Sequence, residues 1–267
     1  MTSPRILAVV SEGLFAEFFS SEDAERLHRA AAAVGGSFQR VDRLEDAVDV
    51  GDVEVLVTSW GLGPLDATRL DRMPRLRLVA HTGATIKPFV TEELYGRGIL
   101  VTQAGAGMAR SVAEVSLAFT LALLHRIPTM HHAVRDGGWY DERTAGVQHE
   151  ILNAPIAVIG ASRTGRAYLA MIRALGARPM LVDPTLDAAA AAELGAELVP
   201  LDDAMSRSLI VAVHAPTLPE THHMVGAREL ALMPDGAGLV NTARSWLVDE
   251  AALLSEVGSG RIAAAID

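Results

Sequence analysis

Ile156-Ala157-Val158-Ile159-Gly160-Ala161-Ser162-Arg163-Thr164-Gly165-Arg166-Ala167-Tyr168-Leu169 reads as an apolar strand, a turn of small residues and the start of a helix. Pyrophosphate binding needs this order. Gly160 permits the tight turn, and the helix N-terminus offers unpaired N–H groups and a positive dipole end to phosphate, with Arg163 able to add a charge-assisted contact. A second strand, Met180-Leu181-Val182, ends in Asp183, and an acidic residue about 20 positions beyond the turn accepts ribose hydroxyls and repels a 2′-phosphate. The expected cofactor is therefore NAD, not NADP. Two observations keep a plain strand-to-helix turn open as the alternative. Ser162 stands where such turns usually carry their second glycine, and Asp183 at a strand end could simply cap the next turn. A serine there still allows close approach and could itself bond a phosphate oxygen.

Outward from this turn, short apolar runs alternate with helical patterns. They are Ile6–Val10, Val53–Val57, Leu76–Ala80, Ile99–Thr102, Ile156–Ile159, Met180–Val182, Leu209–Val213, Gly238–Val240 and Ile262–Ile266. Consecutive apolar residues are buried on both faces, as in parallel sheets, so the fold class is α/β and doubly wound. Ser20-Ser21-Glu22-Asp23 opens a helix that Gly35-Gly36 stops, and Asp249-Glu250 opens another that ends at Gly258. Glycines in Gln103–Gly107 suggest a hinge, which divides the chain into domains 1–104 and 105–267. His132 to Pro155, with Gly137-Gly138-Trp139-Tyr140, reads as a loop-rich lead-in to the next strand.

Composition narrows the function. Half of the 267 residues are hydrophobic and 21% are charged, a globular balance, and a net charge of -10 opposes a general nucleic-acid or membrane-surface role. The absence of cysteine removes thiolate catalysis and thiolate metal sites and fits the cytoplasm. His131-His132 and His222-His223 lack a carboxylate partner at ligand spacing, so no metal is expected. The apolar start is too short for a signal peptide. Ser111–Ile127 carries charges and falls short of the roughly 20 residues that span a bilayer, so it reads as a buried helix.

Val211-Ala-Val-His214-Ala-Pro216-Thr-Leu-Pro219-Glu220-Thr221-His222-His223 and Met233-Pro234-Asp-Gly236-Ala-Gly-Leu-Val-Asn241-Thr242-Ala243-Arg244 resemble the D-isomer-specific 2-hydroxyacid dehydrogenase family in order and spacing. His81-Thr-Gly83-Ala84, Arg97-Gly98-Ile-Leu-Val-Thr and Ser111-Val-Ala113-Glu114 extend the resemblance upstream. It implies a flavodoxin-like substrate domain, a Rossmann NAD-binding domain, and hydride transfer between NAD and a 2-hydroxy or 2-oxo acid. It also implies that Thr82-Gly83-Ala84 presents backbone N–H groups to the substrate carboxylate and that Arg244 is the catalytic arginine. A guanidinium suits that task, since it grips a carboxylate with two bonds and stabilises charge on the C2 oxygen. His214, Pro216, Thr221, Thr242, Ala243 and Asp267 fall around the cofactor. Ser245-Trp246 departs from the family's smaller residues after the arginine, and Thr85-Ile86-Lys87-Pro88 replaces its acidic stretch.

The resemblance further implies a histidine acid/base with a glutamate partner, expected after Asp267. The chain thus reads as the greater part of a longer protein, poor by itself in cofactor binding and catalysis. An alternative class is a non-enzymatic NAD-sensing corepressor or partner-binding protein, which needs Gly160 and Asp183 but no acid/base histidine. An adenosine-handling enzyme of similar fold is disfavoured by the Asn241-Thr-Ala-Arg244 run. The helix Val112 to Leu124 is apolar nearly all round, and in the resembling family its equivalent joins two subunits, so a homodimer is expected.

Overall fold

Two sets of parallel strands, each with its own core, organise the computed structural model, which describes residues 4–138 and 146–267. Trp139 and Tyr140 of the expected lead-in lie outside the described residues. The chain divides into compact units Met1–Met108 and Ala109–Asp267.

In the first unit the strands are Pro4–Val9 (β1), Ser37–Val41 (β2), Val55–Thr58 (β3), Leu78–His81 (β4) and Leu100–Gln103 (β5). All pair in parallel in the order β2-β1-β3-β4-β5, which is the flavodoxin-like winding. Leu7, Leu56 and Val79 are fully buried at the centre, as unbroken apolar strand runs require. The helix Ser21–Ala33 starts where the acidic stretch places it, because Ser20 and Asp23 form a capping box.

The second unit holds Pro155–Ile159 (β6), Arg178–Val182 (β7), Glu197–Leu198 (β8), Ile210–Val213 (β9), Gly238–Asn241 (β10) and Ala263–Ile266 (β11). Their order, β11-β10-β9-β6-β7-β8, is the six-stranded Rossmann winding, and every pair is parallel. The order in which strands are added reverses between β6 and β9, the switch point at which such sheets bind ligands.

Three expectations need correction. Strands β2 and β8 were not anticipated, because both are sheet edges whose half-exposed residues make no continuous apolar run. The long helix runs Gly105–Leu124, so the supposed hinge glycines are helical and the division between units falls inside this helix, at Met108/Ala109. Among the described residues it is the helix long and apolar enough to cross a membrane by length and composition, contrary to the shorter span expected. Here its Ala113 and Leu124 enter the second unit's core. Finally, His132–Arg135 is not loop but the end of the helix Ile127–Arg135.

Candidate active site

At the end of β6 the backbone of Gly160 adopts φ +98°, a left-handed conformation that side chains resist. Space excludes a side chain as well. A Cβ on Gly160 would stand 2.7 Å from both Cα and N of Ala215, in the segment that follows β9. Gly165 is just as constrained, because a Cβ there would collide with the carbonyl oxygen of Gly160. The two glycines therefore let the helix Arg163–Ala174 start directly against the strand end, which aims its N-terminus into the switch point.

Ser162 caps that helix, its Oγ accepting the Gly165 N–H at 3.2 Å with the residue in extended conformation. Its substitution for glycine thus has a structural role that needs no ligand. Arg163, exposed, and Thr164, half-buried, form the first turn.

Asp183 follows β7 and is tied into the same turn. Its Oδ2 accepts the Ala161 N–H at 2.7 Å, while Oδ1 accepts the Thr185 hydroxyl at 2.6 Å and the Thr185 N–H at 2.9 Å. Burial works to raise this carboxyl, but the Thr185 hydroxyl, the two N–H groups and the Arg166 charge outweigh it and hold Asp183 below its ordinary range. An ionised acceptor therefore sits beside the glycine turn. This donor and acceptor set fits a dinucleotide, with N–H groups for phosphate and a carboxylate for ribose.

Behind the turn, His214 is buried against the Tyr168 ring at 5.0 Å, and burial pushes it down to about 4. It is neutral at physiological pH. That makes it packing for the glycine turn and unsuited to hold a proton. Tyr168 is fully buried and hydrogen-bonds Thr120 of the long helix at 2.6 Å.

The strand end of β10 presents Arg244. The Asn241 side chain donates to the Arg244 carbonyl at 3.0 Å and accepts the Ala243 N–H at 3.0 Å, closing the loop from within. Arg244 itself is exposed, with Nη1 on the Ala243 carbonyl. Thr242 is buried and bonds Ser116 of the long helix at 2.7 Å. The neighbouring loop carries exposed Pro216, and Thr221 braces it by donating to the Pro216 carbonyl and accepting the Leu218 N–H. Trp246 locks the two loops together. Its Nε1 donates to the Leu218 carbonyl at 3.0 Å and its ring lies 4.2 Å from that of His222. Asp267 ends the chain next to β10, its N–H on the Asn241 carbonyl and its side chain exposed.

In the first unit, Thr82-Gly83-Ala84 follows β4. The Thr82 N–H is held by the Thr58 carbonyl and the Gly83 carbonyl by the Ala104 N–H. Composition and spacing gave no hint of what surrounds this loop. His81 is buried, bonds the Thr58 hydroxyl at 3.0 Å, and is lowered by burial, in part offset by Thr58. Its Nε2, with Ser59 Oγ and Thr82 Oγ1, is buried without a hydrogen-bond partner among the described residues. Trp60 lies over Gly83. The signal for this grouping is positional, since all these residues end or directly follow the adjacent strands β3 and β4.

The profile of the D-isomer specific 2-hydroxyacid dehydrogenase NAD binding domain matches residues 117–267, more than half of the chain. The chain belongs to this family. The matched residues are the family's NAD binding domain and contain Gly160, Asp183 and Arg244. Among curated relatives, the D-3-phosphoglycerate dehydrogenase of Mycobacterium tuberculosis strain H37Rv is 35% identical over 224 residues, 84% of this chain and 42% of the relative. A glyoxylate reductase of Thermococcus gammatolerans is 33% identical over 221 residues, 81% of this chain and 66% of the relative. The chain thus spans 42% of the length of the phosphoglycerate dehydrogenase. Solved structures show the same fold. A glyoxylate reductase from Paecilomyes thermophila has a TM-score of 0.79 at 22% identity, covering 100% of this chain and 82% of that one. A D-lactate dehydrogenase from Treponema pallidum has 0.80 at 23%, covering 98% and 77%.

Proposed function

We propose that this family member is an NAD-dependent oxidoreductase that interconverts a 2-hydroxy acid and a 2-oxo acid. The observation that carries the reading is the contact of Asp183 with Ala161 at the foot of the glycine turn, inside the matched NAD binding domain. It joins a ribose acceptor to a phosphate-binding turn. Gly160, Ser162, Arg163, Thr164 and Gly165 form the phosphate side, Pro216, Thr221, Thr242, Ala243 and Asp267 wall the cofactor, and His214 backs the turn from behind. When bound, NADH supplies the hydride.

Arg244 holds the substrate and stabilises the negative charge that grows on the C2 oxygen, and its charge counts for most where water is displaced. The backbone N–H groups of Gly83 and Ala84 receive the carboxylate, whereas the Thr82 N–H, expected to join them, is engaged by the Thr58 carbonyl. The test is NADH oxidation in the presence of 2-oxo acids by wild-type protein and Arg244→Ala. The variant should lose about 10²–10³ in kcat/KM while NADH affinity is kept. Failure of the wild type to oxidise NADH with any 2-oxo acid would contradict the reading. Family membership does not favour the corepressor alternative.

We further propose that the chain forms a homodimer through the helix Val112 to Leu124. In the single chain this helix leaves Val115 and Ala118 exposed beside an Arg110–Glu114 ion pair. Apolar residues so placed are stabilised by a covering partner. Light scattering should report twice the chain mass; a monomer across micromolar concentrations would count against it.

A further inference from the structure

We propose that Trp60, backed by Phe18, determines the substrate class: its indole receives the side chain of the 2-oxo acid, and that side chain is a bulky apolar or aromatic group. This rests on the dehydrogenase reading above and deepens it.

Trp60 stands two residues after β3, and its ring atoms Cζ2 and Cε2 lie 3.1 and 3.2 Å from the point a Cβ on Gly83 would occupy. The indole therefore rests on the backbone assigned to the substrate carboxylate. In a 2-oxo acid the side chain begins two bonds from the carboxylate carbon. A carboxylate on the Gly83 loop consequently brings C3 and its substituent to the indole.

This aromatic surface is left open. Trp60 is 50% exposed and Phe18 42%, with ring centroids 5.6 Å apart and planes tilted by 41°. Large rings left half in water beside a candidate site mark a surface for an apolar ligand group. Edge-to-face and offset contacts with such rings favour a planar aromatic group over a saturated one. The floor is uncharged as well: His81 lies edge-on to Trp60 at 6.3 Å and against Phe89 at 4.9 Å. A phosphate ester requires a cation; Arg69 in the segment after Trp60 is engaged with the Leu62 and Pro64 carbonyls and with Glu45, and Lys87, three residues past Ala84, has a partner of its own. The buried hydroxyls of Ser59 and Thr82, without partners among the described residues, add hydrogen-bonding capacity beside Trp60 and Gly83.

The experiment compares wild-type full-length protein with Trp60→Ala and Trp60→Phe in two assays. The first measures kcat/KM with NADH for glyoxylate, pyruvate, phenylpyruvate and 3-phosphohydroxypyruvate. The second is calorimetric binding of D-phenyllactate and D-lactate with NAD present. Phenylpyruvate should exceed pyruvate by about tenfold or more, and Trp60→Ala should lower the phenylpyruvate-to-glyoxylate ratio about tenfold, with Trp60→Phe restoring most of it. D-phenyllactate should bind about tenfold more tightly than D-lactate in the wild type and lose that advantage in Trp60→Ala. Preference for 3-phosphohydroxypyruvate or glyoxylate overturns the proposal. So does an equal loss for all substrates in Trp60→Ala, which would make the indole a mere support for Gly83. If no acid turns over yet D-phenyllactate keeps its Trp60-dependent advantage, the dehydrogenase reading fails and the Trp60 assignment stands. If D-phenyllactate binds no better than D-lactate, the assignment fails whatever the turnover.

Discussion

Each unit winds parallel strands in both directions from a central switch point, yet the two treat their strand ends differently. In the second unit the turn after β6 is closed by backbone against backbone. Gly160 faces Ala215, Gly165 faces Gly160, and the carboxylate of Asp183 and hydroxyl of Ser162 each accept a backbone N–H of the turn. In the first unit the loop after β4 is bounded by side chains, His81 and Trp60, and among the described residues three polar atoms nearby are buried without partners, against one, His214 Nε2, behind the turn of the second unit. On the proposed reading, the same architecture supplies a rigid turn for an invariant group such as pyrophosphate and an adaptable wall for a variable one.

Equivalent substitutions on both sides would break this comparison most directly. Gly160→Ala combines a left-handed backbone with overlap against Ala215 and should destabilise the protein by about 3 kcal/mol or more, or prevent folding. Gly83→Ala meets only side chains, the nearest being His81 Nε2 at 2.7 Å, and those can shift. Its cost should be about 1–2 kcal/mol. Urea unfolding reads both, and equal losses would remove the distinction.

The buried histidine behind the rigid turn sharpens it further. Burial holds folded His214 at about 4, below its ordinary 6.5. Above pH 6.5 both folded and unfolded states are neutral there and stability is complete. As pH falls from 6.5 towards 4 the unfolded chain takes the proton first, so stability drops by up to ~3 kcal/mol. Denaturation midpoints at pH 7 and 5 should show this slope in the wild type and a flatter one in His214→Leu. An unchanged slope would refute the burial argument.

The smallest effect concerns the link from the long helix to the Arg244 loop. Ser116 donates to the Val112 carbonyl, so Thr242 supplies the proton of their mutual bond. Ser116→Ala should cost about 1 kcal/mol by leaving the Thr242 hydroxyl buried without its acceptor. No change in thermal midpoint would show that water or another group takes over.

How much of this the sequence disclosed follows the same division. The turn from Gly160 to Gly165 and its Asp183 partner were legible, because their constraints are local: strand, turn and helix lie within a few residues, and an apolar run announces each central strand. Edge strands β2 and β8 were not, since half-exposed residues carry no such run. The start of the long helix was masked by Gly105 and Gly107, which read as hinge. Trp60, Phe18 and Phe89 were also illegible, because only the order of strands brings these distant segments together. Ser162 shows a subtler limit. The sequence offered its hydroxyl to a ligand but did not disclose that its oxygen caps the helix that follows.

The most direct test of the central claim is titration of the protein with NADH and NADPH, in wild type and Asp183→Ala. Wild type should bind NADH about tenfold or more tightly than NADPH, and the substitution should weaken NADH by a similar factor and narrow the gap. Equal binding of both cofactors by the wild type, or NADH affinity untouched by the loss of Asp183, would contradict the account.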